Sequence, residues 1–459
     1  MTMKHVAVSV AVVMAWALPA AAQPSPVAPT FTKDVAPIFF GNCTNCHRPG
    51  DIAPMSLLTY KDARPWARSI AAKVADGTMP PWHADPAYGK FANERRLTDA
   101  QKAIIAKWAS AGAPEGNPAD LPAAPVYTDG WTIGKPDVVL SMQEDYPLPA
   151  TGTVPYQYLE IPANFPEDRW IQAWEIKPGN LKAVHHIIMS TRAPQPAPGA
   201  APPTPPAANA VRPPPLFSFA CCTDIPAGQT GGAPLPPEQR VAPGPNDRPR
   251  LRGTGPSIGG YVPGNAVRRF PDGMAMRLPA GHSIVLQMHY TTTGEETTDR
   301  TSIALRFAAT PPRTPLLTAQ IINGSLHIPP RTADHLVDAE MTINREIMLY
   351  SLIPHTHVRG KKWLYEAVYP EGRREVILSV PKYDFNWQHE YVLREPLKLP
   401  AGTKIQARAW YDNSPANKSN PDPGKDVYWG DQTWEEMMYT SLTFSLMPAA
   451  AAVRPPGQQ

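Results

Sequence analysis

Cysteine is nearly absent from this chain, with four in 459 residues. They fall in two close pairs, Cys43 with Cys46 and Cys221 with Cys222. A disulfide-rich framework is therefore excluded, and the fold must rest on apolar cores. An excess of one charge is lacking too. Forty-three basic residues face 40 acidic ones for a net charge of +3, with no basic block, which argues against nucleic acid as a partner. Long apolar runs are missing as well. The N-terminal one, Val6 to Leu18, falls short of the roughly 18 residues a spanning helix needs, no other stretch approaches that length, and no membrane span is expected. That run follows Lys4 and His5 and precedes Ala20-Ala21-Ala22, the pattern of a secretory signal cleaved after Ala22, so a periplasmic or secreted location is expected. Proline, by contrast, is abundant: 59 residues against a usual share of about 5%, pointing to linkers, sheet edges and long loops.

The most informative motif is Cys43-Thr44-Asn45-Cys46-His47. Two thiols three residues apart, followed by an imidazole, have the C-x-x-C-H form of covalent haem attachment, with thioether bonds to the cysteines and the histidine on the iron. Downstream, Asp76-Gly77-Thr78-Met79-Pro80-Pro81-Trp82 offers Met79 as the second axial ligand; histidine with methionine suits electron transfer rather than oxygen binding. The alternatives are a redox dithiol or half of a zinc site. Met55 and His83 also lie near the motif, the former read as packing and the latter as a solvated loop residue.

Length suggests about three domains. Helical spacing predicts a helix over residues 32–40, a second over 63–75 carrying Trp66, Ile70 and Val74, and a third opened by the capping box Thr98-x-x-Gln101 and stopped at Gly112. Residues 23–116 thus read as a small all-α domain of the class I cytochrome c type. A Pro/Ala-rich linker follows at 117–136. Beyond it the period changes to two. Residues 283–290 alternate Ile284, Leu286, Met288 and Tyr290 with Val285, Gln287 and His289, and similar runs at 362–369, 375–380 and 404–411 predict antiparallel β-sandwich. The expected plan is two all-β, jelly-roll-like sandwich domains, 137–313 and 314–448, then a tail at 449–459. A Pro-rich insertion at 193–249 interrupts the first; within it only residues 216–222 are apolar enough to pack.

Five histidines in the β region form the second chemical signal: Val184-His185-His186, Gln287-Met288-His289, and His355-Thr356-His357. In a strand, i and i+2 share a face, so His355 and His357 can hold one ion together. Adjacent histidines alternate faces, so joint ligation by His185 and His186 requires a bulge or a strand end. His282, His327, His335 and His389 stand alone.

These motifs, in this order, resemble the copper type II ascorbate-dependent monooxygenases, the family of peptidylglycine α-hydroxylating and dopamine β-monooxygenases, over roughly residues 137–447. The resemblance implies two consecutive β-sandwiches and two copper sites without shared ligands. It assigns His185, His186 and His289 to the first copper, and His355, His357 and Met437 to the second, with Met438 as a one-residue ambiguity. Three imidazoles suit an electron relay, whereas a thioether favours Cu(I), the form that binds oxygen. His355, His357 and Met437 are then the catalytic set. Where peptide-amidating relatives carry an arginine, an asparagine and a tyrosine that clamp a carboxylate, this chain has Ile353, Tyr439 and Ser441, so a glycine-extended peptide is not the expected substrate. Arg359 reads either as a contact for an acidic substrate or as a surface or strand-pairing residue.

The expected function is therefore a copper-dependent monooxygenase that uses O₂ to hydroxylate a C–H bond of a small-molecule substrate. Electrons would enter from a donor through the covalent haem c to two copper ions. The competing readings are a non-catalytic electron-transfer or copper-binding protein and a copper oxidase that hydroxylates nothing.

Overall fold

The computed structural model describes residues 28–127, 130–194, 216–219 and 254–447. The expected N-terminal signal, Cys221 and Cys222, most of the Pro-rich insertion and the C-terminal tail lie outside the described residues. Strands dominate the remainder, in several largely antiparallel sheets.

The helices gather at the N-terminal end. Phe31–Val35 and Ala36–Asn42 run into the cysteine motif; Tyr60–Ala63, Arg64–Trp66 and Ala67–Ala75 form an almost continuous second helical stretch. Asp99–Ser110 opens on the expected capping box between Thr98 and Gln101. Phe31, Phe39, Ile70, Val74, Ile105 and Trp108 share one apolar cluster, whereas Trp66, expected on the same face, is exposed.

The β region forms two sandwich-like bodies joined by one long sheet. Its order is Val138–Ser141, Ser302–Phe307, Arg169–Lys177, Met274–Leu278, Thr314–Ile322, Tyr439–Leu446, Ile347–His355 and Tyr391–Leu399. The bodies meet where Met274–Leu278 pairs in parallel with Thr314–Ile322. Over the first half lies the sheet Gln157–Ile161, Ser283–Tyr290, Val184–Arg192 and Thr254–Tyr261, with Trp174, Ile176, Met189, Leu286 and Ile303 in the shared core. Over the second half lie Arg374–Val380, Gly360–Val368, Lys404–Tyr411, His335–Ile343 and Phe217–Phe219, around Leu352, Trp363, Tyr365, Tyr411 and Phe444. The apolar patch of the insertion thus does pack: Phe217–Phe219 extends this sheet, and the Phe217 ring lies 5.1 Å from Phe444.

The helical region is docked on this framework as well as connected to it through the linker. Trp82, Ala84 and Phe91, grouped with the helices by sequence, are buried in the second sandwich's core. Phe91 bridges to Leu393, and the amide N–H groups of Ala92 and Arg394 donate to the carbonyls of Val392 and Lys90 at 2.8 Å each. Arg95 donates to the Gly264 carbonyl at 2.7 Å. Gly264, at φ +75°, lies so close to Cys46 that a Cβ there would stand 2.9 Å from its sulfur. The cysteine motif therefore faces the first sandwich.

Candidate metal centre

Strand pairing explains how two adjacent histidines reach one point. His289 pairs with His186, but the next residue, Tyr290, pairs with Val184, so His185 is an extra residue on its strand. That bulge reverses the alternation and turns both imidazoles to the same side. The Nδ1 atoms of His185, His186 and His289 form a triangle with edges of 3.1, 3.1 and 3.3 Å. Two ligands on a tetrahedral ion at about 2.0–2.1 Å are separated by about 3.3–3.4 Å, so the triangle has the size of one coordination face. The outer nitrogens are partly anchored. His185 Nε2 donates to Asn386 Oδ1 at 3.3 Å, and His289 Nε2 lies 3.1 Å from Thr433 Oγ1. With those protons on Nε2, Nδ1 presents a lone pair, as metal-ligating histidines do. These three residues could hold a metal ion.

His355 and His357 are arranged in the opposite sense. His355 closes the strand Ile347–His355, and His357 lies just beyond it, so the pair meets at a strand end rather than along a regular pleat; their ring centroids are 5.2 Å apart. His355 Nδ1 donates to Gln388 Oε1 at 2.6 Å, and His357 Nδ1 to the Glu435 carbonyl at 3.2 Å. Both Nε2 atoms are buried without a protein partner. A buried, unpartnered acceptor is costly; a cation would satisfy it.

The two groups adjoin. His186 and His355 have ring centroids 5.8 Å apart. The buried Tyr156 ring lies between the groups, 4.6 Å from His289 and 5.9 Å from His357. Phe385 caps the first group, stacked on His185 at 4.9 Å. Burial, then the neighbouring imidazoles, push His186 and His289 well below the ordinary histidine range. His357 is likewise pushed well down, chiefly by burial, and His355 to about 4. At neutral pH the imidazoles are therefore unprotonated, the form that binds a metal.

Glu436 organises the second group. Its carboxylate accepts the backbone N–H groups of His357 and Arg359 at 2.7 Å each and of Met437 at 3.2 Å. Full burial pushes Glu436 up to about 7 despite the nearby Arg359 guanidinium and these donors. Arg359 is buried rather than on the surface, and its carbonyl accepts the Asp412 N–H at 2.8 Å, a strand-pairing contact. It is 2% exposed and donates to Asn413 and to the Trp434 carbonyl. Met437 and Met438 are both buried in the same core, and the Met437 carbonyl accepts from Tyr411.

A cavity of about 90 Å³ opens beside His186 and His355. Ile353, Tyr439 and Ser441, the three positions without the carboxylate clamp, line it, and Arg268 on its wall is paired with Glu390 at 2.9 Å.

At the N-terminal motif, Cys43 and Cys46 are free thiols. Burial, reinforced by Cys46, pushes Cys43 up to about 12, so its thiol form prevails at neutral pH. His47 Nδ1 lies 3.2 Å from the Met55 carbonyl and so donates to it, leaving Nε2 available. Met55, read as packing, does sit against the helical cluster. Met79 is half-buried on the turn after Ala67–Ala75, its N–H bonded to the Lys73 carbonyl.

Gln388, Phe385 and Tyr156 carry no ligand motif and are not legible in the sequence; Thr433 and Glu436 belong to the Thr433–Met437 stretch that marks Met437, but their own contacts are not legible there. His389, isolated in sequence and expected to be structural or exposed, is 3% exposed among Trp82, His83, Trp387 and Tyr391.

No protein-family model matches the chain. None of the curated proteins matches it either. Among solved structures, an allantoicase is 9% identical, covering 58% of this chain and 81% of its own at a TM-score of 0.16. The allantoicase of Saccharomyces cerevisiae is 10% identical, with 58% and 80% covered and a TM-score of 0.15. The infectious bursal disease virus Gx strain structure is 8% identical, with 68% and 73% covered and a TM-score of 0.16. At such scores these likenesses carry no argument about this chain.

Proposed function

We propose that this chain is a periplasmic or secreted haem–copper monooxygenase that hydroxylates a C–H bond of a small, largely apolar molecule with O₂. The observation that carries the reading is the bulge at His185, because it draws three Nδ1 atoms into a triangle of metal-face dimensions. The donor types suit the proposed groups: three imidazoles at one site, two imidazoles at the other with Met437 held by the same Glu436 carboxylate as His357, and two thiols with a free imidazole nitrogen at the N-terminal motif. When bound, copper supplies one-electron chemistry and oxygen activation, and the haem supplies single electrons.

The protein's own residues perform the rest. Asn386 and Thr433 orient His185 and His289; Gln388 and the Glu435 carbonyl orient His355 and His357. Glu436 fixes the backbone that carries His357 and Met437. Tyr156 and Phe385 fill the space around the imidazoles and exclude water. The cavity beside His355 admits a substrate, and its walls favour a neutral one, since Ile353 replaces the clamping arginine and Glu390 already pairs with Arg268.

The test is oxygen uptake by the haem- and copper-loaded protein over a panel of small apolar compounds under ¹⁸O₂. Incorporation of one labelled atom into product supports a monooxygenase. Uptake without incorporation would make it a copper oxidase, and no uptake an electron-transfer or copper-binding protein.

A further inference from the structure

We propose that Gln388 and His389 form the electron bridge from the haem crevice to the histidine centre. This inference rests on the haem–copper reading above. His389 contacts the segment that follows the proposed axial ligand. Its ring sits beside the Pro81–His83 segment, which begins two residues after Met79. Its ring lies 5.9 Å from Trp82 and 6.1 Å from His83. On the other side the peptide bond leads directly to Gln388. The Gln388 carboxamide touches both histidine groups, accepting from His355 Nδ1 at 2.6 Å and standing with Nε2 3.4 Å from His186 Nδ1.

The path is short, with one through-space step: Met79 to Trp82 along the chain, the ring contact of Trp82 with His389, the peptide link to Gln388, and the hydrogen bond from His355. Every element is fixed. His389 and Gln388 are 3% and 7% exposed, and the stretch is stitched to the helical region by Asn93, which donates to the Glu390 carbonyl at 2.7 Å and accepts from the Val392 N–H at 3.1 Å. The contact of Cys46 with Gly264 and Arg95 turns the haem motif toward the same side of the β region. The step is a single-electron exchange: ferrous haem becomes ferric, one Cu(II) becomes Cu(I), and no proton need move.

His389→Leu removes the ring that meets Trp82; His389→Phe keeps a ring there. In the full chain loaded with haem and copper, a radiolytic pulse without oxygen would reduce the haem, and its reoxidation would be followed optically while freeze-quench EPR follows loss of Cu(II). His389→Leu should slow haem reoxidation severalfold while leaving the haem spectrum, its midpoint potential and the Cu(II) EPR parameters unchanged, and His389→Phe should recover part of the rate. If His389→Leu fails to fold, His389→Gln carries the same test. Unchanged transfer in the variant without the ring would overturn the bridge. So would a changed haem spectrum, since His389 would then belong to the iron. Wild-type protein that binds no haem or no copper would instead sink the proposed function, and the bridge with it.

Discussion

His289 lies directly across the ladder from His186, while its neighbour Tyr290 lies across from Val184. The one-residue slip between those pairs is what lets two consecutive histidines act on one point. A regular pleat would have sent one to each face.

Removal of one corner tests whether this group is a separate site. His289→Ala should cost the protein one of two bound coppers and leave the second at His355 and His357, measured by elemental analysis and by the loss of one Cu(II) EPR component. A single copper in the wild type would contradict the two-site reading.

The N-terminal motif makes a simple prediction. Replacing Cys43 and Cys46 together by alanine should abolish covalent haem, seen as loss of haem from the denatured chain. Met79→Ala should keep haem attached but shift its spectrum toward high spin and lower its potential. An unchanged spectrum would move the axial role to Met55, His83 or His389.

Glu436 is the acceptor for three buried backbone N–H groups, those of His357, Arg359 and Met437. Glu436→Ala should therefore destabilise the fold by about 3 kcal/mol or more, because three buried N–H donors lose their acceptor at ~1–3 kcal/mol each. Glu436→Gln, which keeps a carbonyl acceptor, should cost less. Denaturant unfolding of the metal-free protein measures both.

Acid should weaken the metal-free protein. His355 is held near 4 in the folded state, against an ordinary value of 6.5. Between these values the unfolded chain takes up a proton that the folded chain refuses, so stability is full above about pH 6.5 and falls toward pH 4, by roughly 3 kcal/mol for this group. Glu436 acts oppositely: pushed up to about 7, its contribution is full below its ordinary range near 4.5 and is lost as pH rises through 7. Over the shared window these two nearly offset each other, so the net fall comes from His186, His289 and His357, which burial also holds well below the ordinary range. Melting temperature against pH should drop on the acid side, and His355→Gln should lessen that drop. An unchanged acid limb would contradict the buried neutral imidazole.

Met437 separates a catalytic copper from a relay. Met437→His should retain metal but lose the Cu(I) bias of a thioether. Haem oxidation should persist while substrate hydroxylation falls to a small fraction of wild type. Equal turnover would shift the role to Met438.

Local patterns fixed a good deal. The capping box at Thr98, the alternation over Ser283–Tyr290 and the run at Lys404–Tyr411 depend on neighbours in the chain, and each is legible as text. So was the requirement that His185 and His186 need a bulge, because the period of a strand is two. That the bulge exists depends on how Val184–Arg192 registers against Ser283–Tyr290, about a hundred residues away, and only the folded ladder decides it. The same holds for Gln388 and His389. Neither sits in a motif, yet chain crossing places one against His355 and the other against Trp82. Arg359, near His357 in sequence, pairs across to Asp412 as one of its readings allows, but its burial depends on Glu436 and Asn413, which only tertiary packing brings beside it. Sequence determined the types of side chain available for chemistry; the meeting of distant strands determined which of them share one buried, water-poor space, because register and burial are properties of pairs rather than of residues.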